Sequence, residues 1–459
     1  MKPTITEQFE QQRSYFDSGA TRTLLFRLRQ LRALKQMVKK NEPALMEALY
    51  KDLGKPAFEA YTAELALFYD EISRSISHLR SWAKSRKVST PLVFEPSKSC
   101  IQPEPKGLVL IIGPWNYPFQ LLMVPLIGAM AAGNCVMLKP SEQTPHTAAL
   151  VESMIQSAFE PCYVTVVRGP GAEVGPKLIE PHRFDHIFFT GSTAVGKEIL
   201  AMAAPHLTPV TLELGGKSPA IVAKDANLQV AARRIVWGKY YNAGQTCIAP
   251  DYLLVHEAVK EALLQHMVEA IHAFYGPYPS RSDSYGRIVN QRHFNKLTSY
   301  LTDGSLVTGG EIDPEQLYMA PTILDDVILE DAVMQAEIFG PILPVITFND
   351  LEEVVSIVRR HRYPLALYLF TEDRRVEEQI IDTIEFGGGC INNCIVHVAN
   401  PHLPFGGVGN SGMGRYHGEA SFQLFSNMKA MVHSGTWLDP SLRYAPYDDE
   451  KLKLAKKFL

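Results

Sequence analysis

The sequence predicts an α/β protein with largely parallel sheets that helices cover on both faces. Three observations support this fold class. The chain has 459 residues, too many for one ordinary hydrophobic core. Residues 5–83 have mainly helical periodicity, and from residue 107 onward short apolar runs alternate with helical ones. Because buried strands separated by helices are typical of parallel sheets, we expect two or three domains of this architecture.

The helical region over residues 5–83 repeats apolar side chains every three or four positions, with one break at residues 54–56. Its basic side chains between residues 22 and 40 alternate with leucines, which is typical of a solvated helix face rather than a binding patch. A polar, proline-containing stretch at 89–105 follows, and it predicts an exposed ribbon or a linker.

The alternating region begins with a buried strand, and its predicted strands are GLVLIIGP, NCVMLKPS, CYVTVVRG, FDHIFFTGS and TPVTLELGG. Two predicted helices separate the first three, FQLLMVPLIGAMAAG and HTAALVESMIQSAF. After Gly216 the alternation resumes with SPAIVAK, a long helix through residues 230–242, DYLLVHE, PILPVITF and LALYLFT. The break near residue 215 predicts a domain boundary.

Residues 107–138 carry no charged side chain, which raises the alternative of a membrane-spanning helix. Prolines and polar residues interrupt this segment at Pro114, Asn116, Pro118, Gln120, Pro125 and Asn134. A lipid-exposed helix would leave backbone groups unsatisfied at such breaks, so we expect a buried strand, loop and helix and no membrane span.

The overall composition argues against several classes of partner. A net charge of −4 and a pI near 6.4 give no support for nucleic acid or an acidic membrane. The six cysteines form no CxxC pair, and the close pair Cys390 and Cys394 has no second pair with zinc-ligand spacing. The polar N-terminus lacks the apolar core of a signal peptide, so a cytoplasmic location is expected.

Two fragments at predicted strand ends suggest a nucleotide site. The strand FDHIFFTG enters a helix through Gly191 and Gly196, where the backbone and the helix N-terminus could approach a pyrophosphate. The spacing is G-x-x-x-x-G, neither the dinucleotide fingerprint nor a P-loop, so an ordinary turn is the alternative. Lys139 and Glu142 follow another strand at its carboxyl end, where they could bind ribose hydroxyls or form a surface ion pair.

Three residues are candidates for catalysis. Cys247 follows a flexible Gly-Gln-Thr run, and a turn leading into a helix N-terminus would expose its thiol and lower the thiol pKa. Glu213 ends an apolar strand, where burial would raise its pKa toward that of a general base. Asn116 lies between Pro114 and Pro118, on a rigid loop suited to an oxyanion donor. An inert buried cysteine and a structural glutamate are the alternatives.

Together, in this order, the fragments resemble the aldehyde dehydrogenase superfamily. The matching motifs are PWNYP, KPSE, FTGSTAVGK, LELGGKSP, GQTC, EIFGPILP and PFGG. The resemblance spans roughly residues 20–425, and the compact N-terminus with GNSGMGRYHG is most similar to the class 3 and fatty-aldehyde branch.

The resemblance implies a modified Rossmann NAD-binding domain formed by residues 1–84 and 104–215. It further implies an α/β catalytic domain over 216–410, and a small oligomerisation arm and C-terminal tail from 85–103 and 411–459. A homodimer is expected from this arrangement.

The resemblance also implies a role for each motif residue. Cys247 would attack the aldehyde, Asn116 and the Cys247 N–H would hold the oxyanion, and Glu213 would activate the water that hydrolyses the thioester to a carboxylic acid. The implied cofactor residues are Lys139 and Glu142 for the adenosine ribose, Gly191, Ser192, Thr193 and Gly196 for the pyrophosphate, and Glu337 with Phe339 for the nicotinamide ribose. No metal is required.

The choice of cofactor and substrate follows the same resemblance. A carboxylate at Glu142 repels the 2′-phosphate of NADP and favours NAD, although the class 3 branch accepts both. Five aromatic residues could line an apolar tunnel for aromatic or medium- to long-chain aldehydes, or belong to the core: Tyr61, Tyr117, Phe119, Tyr241 and Phe405.

Three rival functions are weighed against aldehyde oxidation. An acylating dehydrogenase would pass the thioester to coenzyme A and would not need Glu213. A cofactor-free cysteine hydrolase would need a histidine partner, and none lies in or beside GQTC. A catalytically silent binding protein would not need Cys247, Glu213 and Asn116 together.

Overall fold

The computed structural model describes residues 3–458 of the chain. Within that range the strands are β1 (Arg86–Val88), β2 (Lys98–Pro105), β3 (Leu108–Ile112), β4 (Cys135–Lys139), β5 (Val164–Val166), β6 (His186–Thr190), β7 (Val210–Glu213), β8 (Pro219–Val222), β9 (Tyr252–His256), β10 (Ser305–Thr308), β11 (Ile312–Asp313), β12 (Tyr318–Met319), β13 (Thr322–Asp325), β14 (Ile342–Phe348), β15 (Ala366–Phe370), β16 (Gly388–Ile391), β17 (Gly412–Met413) and β18 (Ser426–His433).

The α-helices of the same range are α1 (Ile5–Asp17), α2 (Leu24–Leu53), α3 (Ala57–Ala60), α4 (Ala66–Trp82), α5 (Gln120–Ala132), α6 (Pro145–Ala158), α7 (Gly171–Ile179), α8 (Thr193–Ala203), α9 (Leu228–Tyr240), α10 (Lys260–Tyr275), α11 (Gln291–Ser299), α12 (Ala332–Gln335), α13 (Leu351–Arg360), α14 (Arg374–Thr383), α15 (Glu419–Leu424) and α16 (Asp449–Phe458).

The first sheet has the strand order β17-β7-β6-β3-β4-β5 and is parallel except for β17. Strands β3, β4 and β6 are buried along their whole length, and α5, α6 and α8 pack on the sheet. The chain runs from β3 outward to β5 and then returns to β6 on the other side of β3. This reversal makes a crevice at the carboxyl ends of β3 and β6, where α/β sheets bind ligands.

The second sheet has the order β10-β13-β14-β9-β8-β15-β16 and is parallel except for β10. Strands β8 and β15 of this sheet are fully buried, and α13 packs on β14. The two largely parallel sheets confirm the α/β fold class predicted from the alternating pattern.

A third, smaller sheet joins distant parts of the chain in the order β1-β2-β18, with both pairings antiparallel. Strands β2 and β18 pair over eight residues each, and β2 occupies the end of the stretch expected to be a ribbon or a linker. Both strands are largely solvent-accessible along the sheet. The division into domains and an oligomerisation arm stays a prediction.

The uncharged segment 107–138 folds as β3, a loop, α5 and the start of β4, as predicted. Every residue of α5 is buried, and Pro125 is accommodated inside the helix. Among the described residues, no helix has both the length and the apolar character needed to cross a membrane.

Two helix ends shape the approach to the site. Helix α2 ends at Gly54, whose φ of 58° is left-handed, which confirms the break predicted at residues 54–56. The helix predicted through residue 242 ends earlier, at Tyr240, because Asn242 and Ala243 have φ values of 54° and 51°. This left-handed pair turns the chain toward residues 245–247.

Candidate active site

A cavity of ≈ 250 Å³ lies where the carboxyl edge of the first sheet faces the amino edge of the second. Loops and strand ends after β3, β6 and β7 contribute Asn116, Gly191 and Glu213 to its wall. Segments that precede β9 and β14 contribute Cys247 and Phe339. Residues from distant motifs therefore meet in one cavity, at the strand reversal described above.

Cys247 lies in a tight turn before β9, in which the N–H of Ala249 donates to the carbonyl of Thr246 at 2.9 Å. The thiol is half-buried. No helix begins here, so the expectation that a helix N-terminus lowers the thiol pKa is wrong. Burial, together with the smaller effects of the Glu337 and Glu213 carboxylates, raises the pKa of Cys247 to about 12.

Glu213 is the last residue of β7 and is only 3% exposed. Neither of its carboxylate oxygens accepts a hydrogen bond from a described residue. Burial raises the pKa of Glu213 well above its usual range, and the positive charge of Arg415 lowers it by a smaller amount. An unpartnered buried carboxyl is costly for stability and is suited to accept a proton from a bound water.

Asn116 lies on the loop after β3 and is 3% exposed. One N–H of its side-chain amide donates to the carbonyl of Gln245 at 3.0 Å. That bond leaves the second N–H of the amide for another acceptor. The carbonyl of Asn116 accepts from the Asn242 amide at 3.0 Å, so the loop is tied to the turn that carries Cys247.

A fully buried ion pair between Lys55 and Glu64 is hydrogen-bonded to the backbone of the same loop. The Lys55 ammonium donates to the carbonyl of Asn116 at 3.0 Å. The Glu64 carboxylate accepts from the backbone N–H groups of Phe119 and Gln120 at 2.9 and 3.1 Å. The sequence does not indicate this pair, because Lys55 lies in the turn after α2 and Glu64 lies nine residues later, beyond α3.

The turn after β6 leads into α8, which begins at Thr193 with Ser192 as its cap. The Ser192 hydroxyl accepts from the N–H of Val195 at 3.4 Å, and Gly191 and Ser192 both line the cavity. Gly196 lies inside α8, where a Cβ would come within 2.8 Å of Leu214. The structure therefore gives Gly196 a packing role between helix and strand and not a place on the cavity wall.

Lys139 and Glu142 lie at the carboxyl end of β4, outside the wall of the Cys247 cavity. Their charged groups are 2.6 Å apart; Lys139 is buried and Glu142 is exposed. The other carboxylate oxygen of Glu142 accepts from the N–H of Gly171 at 3.0 Å. The two residues thus form the ion pair considered from the sequence, at the sheet edge expected for a ribose.

Glu337 and Phe339 both line the cavity, beside Trp115. Phe339 has a left-handed φ of 59°, and its ring meets that of Trp115 edge-on at 5.2 Å. The Glu337 carboxylate lies against Gly215, where a Cβ would be 2.0 Å from Oε2. Burial raises the pKa of Glu337 to about 8, and the nearby Asp251 contributes to the increase.

The structure assigns two of the aromatic candidates, one to the core and one to the cavity wall, and adds further residues to the cavity. Phe119 is fully buried against Phe68, with ring centroids 5.4 Å apart, so it belongs to the core. Phe405 lines the cavity, as one alternative predicted. Sequence analysis missed His293 and Lys296, whose only signal is their spacing on one face of α11.

Comparison with known proteins adds independent findings. The profile described as "Aldehyde dehydrogenase family" matches residues 3–431. The chain is 46% identical over 456 residues to "4,4'-diaponeurosporen-aldehyde dehydrogenase" of Staphylococcus aureus (strain NCTC 8325 / PS 47), covering 99% of both chains. It is 45% identical over 454 residues to "Aldehyde dehydrogenase family 3 member B1" of Rattus norvegicus, covering 98% of this chain and 96% of the relative.

A further relative and a solved structure are also similar to this chain. The chain is 44% identical over 429 residues to "Aldehyde dehydrogenase, dimeric NADP-preferring" of Rattus norvegicus, covering 94% of both chains. A solved structure described as "Substrate bound state of Staphylococcus Aureus AldH" superposes with a TM-score of 0.97 at 45% identity, covering 99% of both chains.

Proposed function

The chain belongs to the aldehyde dehydrogenase family, and from this premise we propose that it oxidises aldehydes to carboxylic acids through a thioester on Cys247 that water hydrolyses. The family assignment confirms the resemblance seen in the motifs, including its class 3 branch. The observation that carries the proposed mechanism is the unpartnered, buried carboxyl of Glu213 in the same cavity as the Cys247 thiol.

In the first step the Cys247 thiolate attacks the aldehyde carbon, which forms a carbon–sulfur bond and converts the carbonyl oxygen to an oxyanion. The free N–H of the Asn116 amide and the backbone N–H of Cys247 would donate to this oxyanion and stabilise the charge. A bound nicotinamide dinucleotide would supply the hydride acceptor that the thiohemiacetal needs in order to become a thioester.

The second step is hydrolysis of the thioester. Glu213 accepts a proton from water as the water oxygen bonds to the thioester carbon, and the carbon–sulfur bond breaks to release the carboxylic acid. The thiolate of Cys247 is then restored for the next cycle. An acylating enzyme would need no base here, so the placement of Glu213 supports water over coenzyme A as the acceptor.

The residues present fit a nicotinamide dinucleotide. At the carboxyl end of β4 the exposed Glu142 carboxylate lies 2.6 Å from the Lys139 ammonium, so an acceptor and a donor are available together to the hydroxyls of a ribose. We propose that Lys139 and Glu142 bind the adenosine ribose through its hydroxyls.

The remaining cofactor contacts lie nearer to Cys247. The N-terminus of α8, with Gly191, Ser192 and the N–H of Thr193, would bind the pyrophosphate through its free N–H groups and positive potential. Glu337 would accept hydrogen bonds from the nicotinamide ribose, and Phe339 would pack beside it. Gly196 would act indirectly, by letting α8 approach β7 closely.

NAD is the proposed cofactor, with NADP as the alternative. The exposed carboxylate of Glu142 at the ribose position would repel a 2′-phosphate. One relative is described as NADP-preferring, which keeps the alternative open. Glu142→Gln removes the repulsion, so we expect it to raise kcat/KM for NADP relative to that for NAD; an unchanged ratio would contradict this role for Glu142.

The proposed substrates are aromatic or medium- to long-chain aldehydes. The inner cavity wall is largely apolar, with Leu121, Leu365, Phe405 and Tyr416 beside the catalytic groups. One relative is named for a carotenoid-type aldehyde, which agrees with an apolar substrate. A homodimer is proposed because another relative is described as dimeric. The cytoplasmic location stays a prediction.

The proposed function is tested with purified protein, both cofactors and an aldehyde panel that varies in chain length and aromaticity. We expect growth of the reduced-cofactor absorbance without added coenzyme A. The absence of any signal with every aldehyde and both cofactors would refute the proposal. A strict requirement for coenzyme A would favour the acylating alternative.

A further inference from the structure

A buried ion pair lies directly behind the loop that carries Glu337 and Phe339. Lys217 precedes β8 and Asp251 precedes β9, and their charged groups are 2.6 Å apart. Both side chains are almost fully enclosed, at 2% and 5% exposure. No step of the proposed mechanism uses either residue, although a buried charge pair is costly unless its remaining hydrogen-bonding capacity is used.

The pair forms its remaining hydrogen bonds with the backbone of residues 333–338, which comprise part of α12 and the loop that follows it. The Lys217 ammonium donates to the carbonyls of Val333 and Ala336 at 3.0 and 3.1 Å. The second carboxylate oxygen of Asp251 accepts from the N–H of Ile338 at 3.0 Å. The peptide groups on both sides of Glu337 are therefore held by one ion pair.

Helix α11 holds the same loop from the cavity side. The Lys296 ammonium donates to the carbonyl of Glu337 at 2.9 Å, and the ring nitrogen Nε2 of His293 lies 2.8 Å from the carbonyl of Phe339. Each residue from 336 to 339 thus has one backbone group that is hydrogen-bonded to a side chain. Such dense bonding fits a segment whose Phe339 is kept in a left-handed conformation.

We propose that Lys217 and Asp251 are positioning residues, which fix the loop so that Glu337 and Phe339 are set for the nicotinamide half of the dinucleotide. This inference rests on the proposed function. An apolar pair of similar volume would stabilise the fold at least as well. The charged pair instead orients the loop backbone, and this orientation favours cofactor binding because Glu337 and Phe339 are already in place.

The test compares Lys217→Met with the double variant Lys217→Met/Asp251→Asn. The single variant leaves a buried carboxylate without its partner, so both its melting temperature and its cofactor binding should fall. The double variant removes both charges of the pair, so its melting temperature should largely recover. Its loop still lacks the bonds to Val333 and Ala336, so its cofactor affinity should stay low.

Cofactor affinity is measured without turnover, from the quenching of tryptophan emission by NADH; Trp115 lines the cavity beside Phe339. We expect the dissociation constant of both variants to rise by about tenfold or more, because hydrogen bonds to charged groups are lost. Hydrolysis of an activated ester, which needs Cys247 and no cofactor, should stay within about twofold in the double variant.

Lys260→Met is the matched control, since Lys260 pairs with Asp325 at 2.7 Å away from the cavity. It should leave the NADH dissociation constant unchanged. Recovery of NADH affinity together with melting temperature in the double variant would overturn the proposal and leave the pair a purely structural role. Failure of the proposed function is distinguishable, because the unmodified protein would then not reduce the cofactor with any aldehyde.

Discussion

Replacement of Glu213 by glutamine should separate the two halves of the reaction. Glutamine has nearly the same volume as glutamate and cannot accept the proton of the attacking water. Neither carboxylate oxygen of Glu213 has a hydrogen-bond donor among the described residues, so Glu213→Gln breaks no bond that holds the fold. We therefore expect the thioester to form in this variant and its hydrolysis to fail.

The expected magnitude follows from the role of a general base. Loss of such a group costs about 10²–10⁴ in rate, or about 3–5 kcal/mol of transition-state stabilisation. In a stopped-flow experiment with NAD and an excess of aldehyde, the variant should release about one NADH per active site in a burst and then turn over very slowly. Steady turnover at the unmodified rate would refute the assignment of Glu213 as the base.

The pH dependence of the unmodified enzyme provides a second check on Glu213. Since burial raises the pKa of this carboxyl well above its usual 4.5, hydrolysis should increase with pH until the raised value is passed. Over the same window the folded state binds a proton that the unfolded state has lost, so stability should decrease as pH rises. In denaturant titrations, Glu213→Gln should show a smaller decrease than the unmodified protein, because only the contribution of Glu213 is removed.

Three further predictions concern the groups around Cys247. Asn116→Ala removes an oxyanion donor and should lower kcat by about 10²–10³, measured at saturating aldehyde; a loss below tenfold would argue against that role. Glu337→Gln removes the charge that raises the pKa of Cys247 most, so alkylation of the thiol by iodoacetamide at mildly alkaline pH should become faster, and an unchanged rate would contradict this electrostatic effect. Lys55→Met leaves Glu64 as an unpaired buried charge and should lower the free energy of unfolding by about 3–5 kcal/mol, read from denaturant titration; a change within about 0.5 kcal/mol would mean that the pair is dispensable.

The sequence was sufficient for the parallel sheets, because their strands are short apolar runs bounded by turns. It also located the residues at strand ends: Glu213 closes β7 and Lys139 closes β4, as the patterns indicated. Residues at the carboxyl ends of neighbouring parallel strands are brought together by the topology itself. A strand pattern therefore predicts their proximity without coordinates.

Other features depend on contacts that no local pattern contains. The environment of Cys247 was predicted wrongly, since two left-handed residues end α9 early and lead the chain into a turn and then a strand. The support of the Asn116 loop by Lys55 joins residues 61 positions apart. The bonds from Lys217 to its loop span more than a hundred positions, and only packing in three dimensions creates them.

Catalysis through a thioester on Cys247 is tested most directly by mass spectrometry of Glu213→Gln after mixing with NAD and an aldehyde. We expect an acyl group on the peptide that contains Cys247. This group is the aldehyde without its aldehyde hydrogen, and it replaces the hydrogen of the thiol. Cys390→Ser in the same background should keep the adduct, and Cys247→Ser should lose it. An acyl group on another residue, or NADH formation with no adduct on Cys247, would contradict catalysis through this thioester.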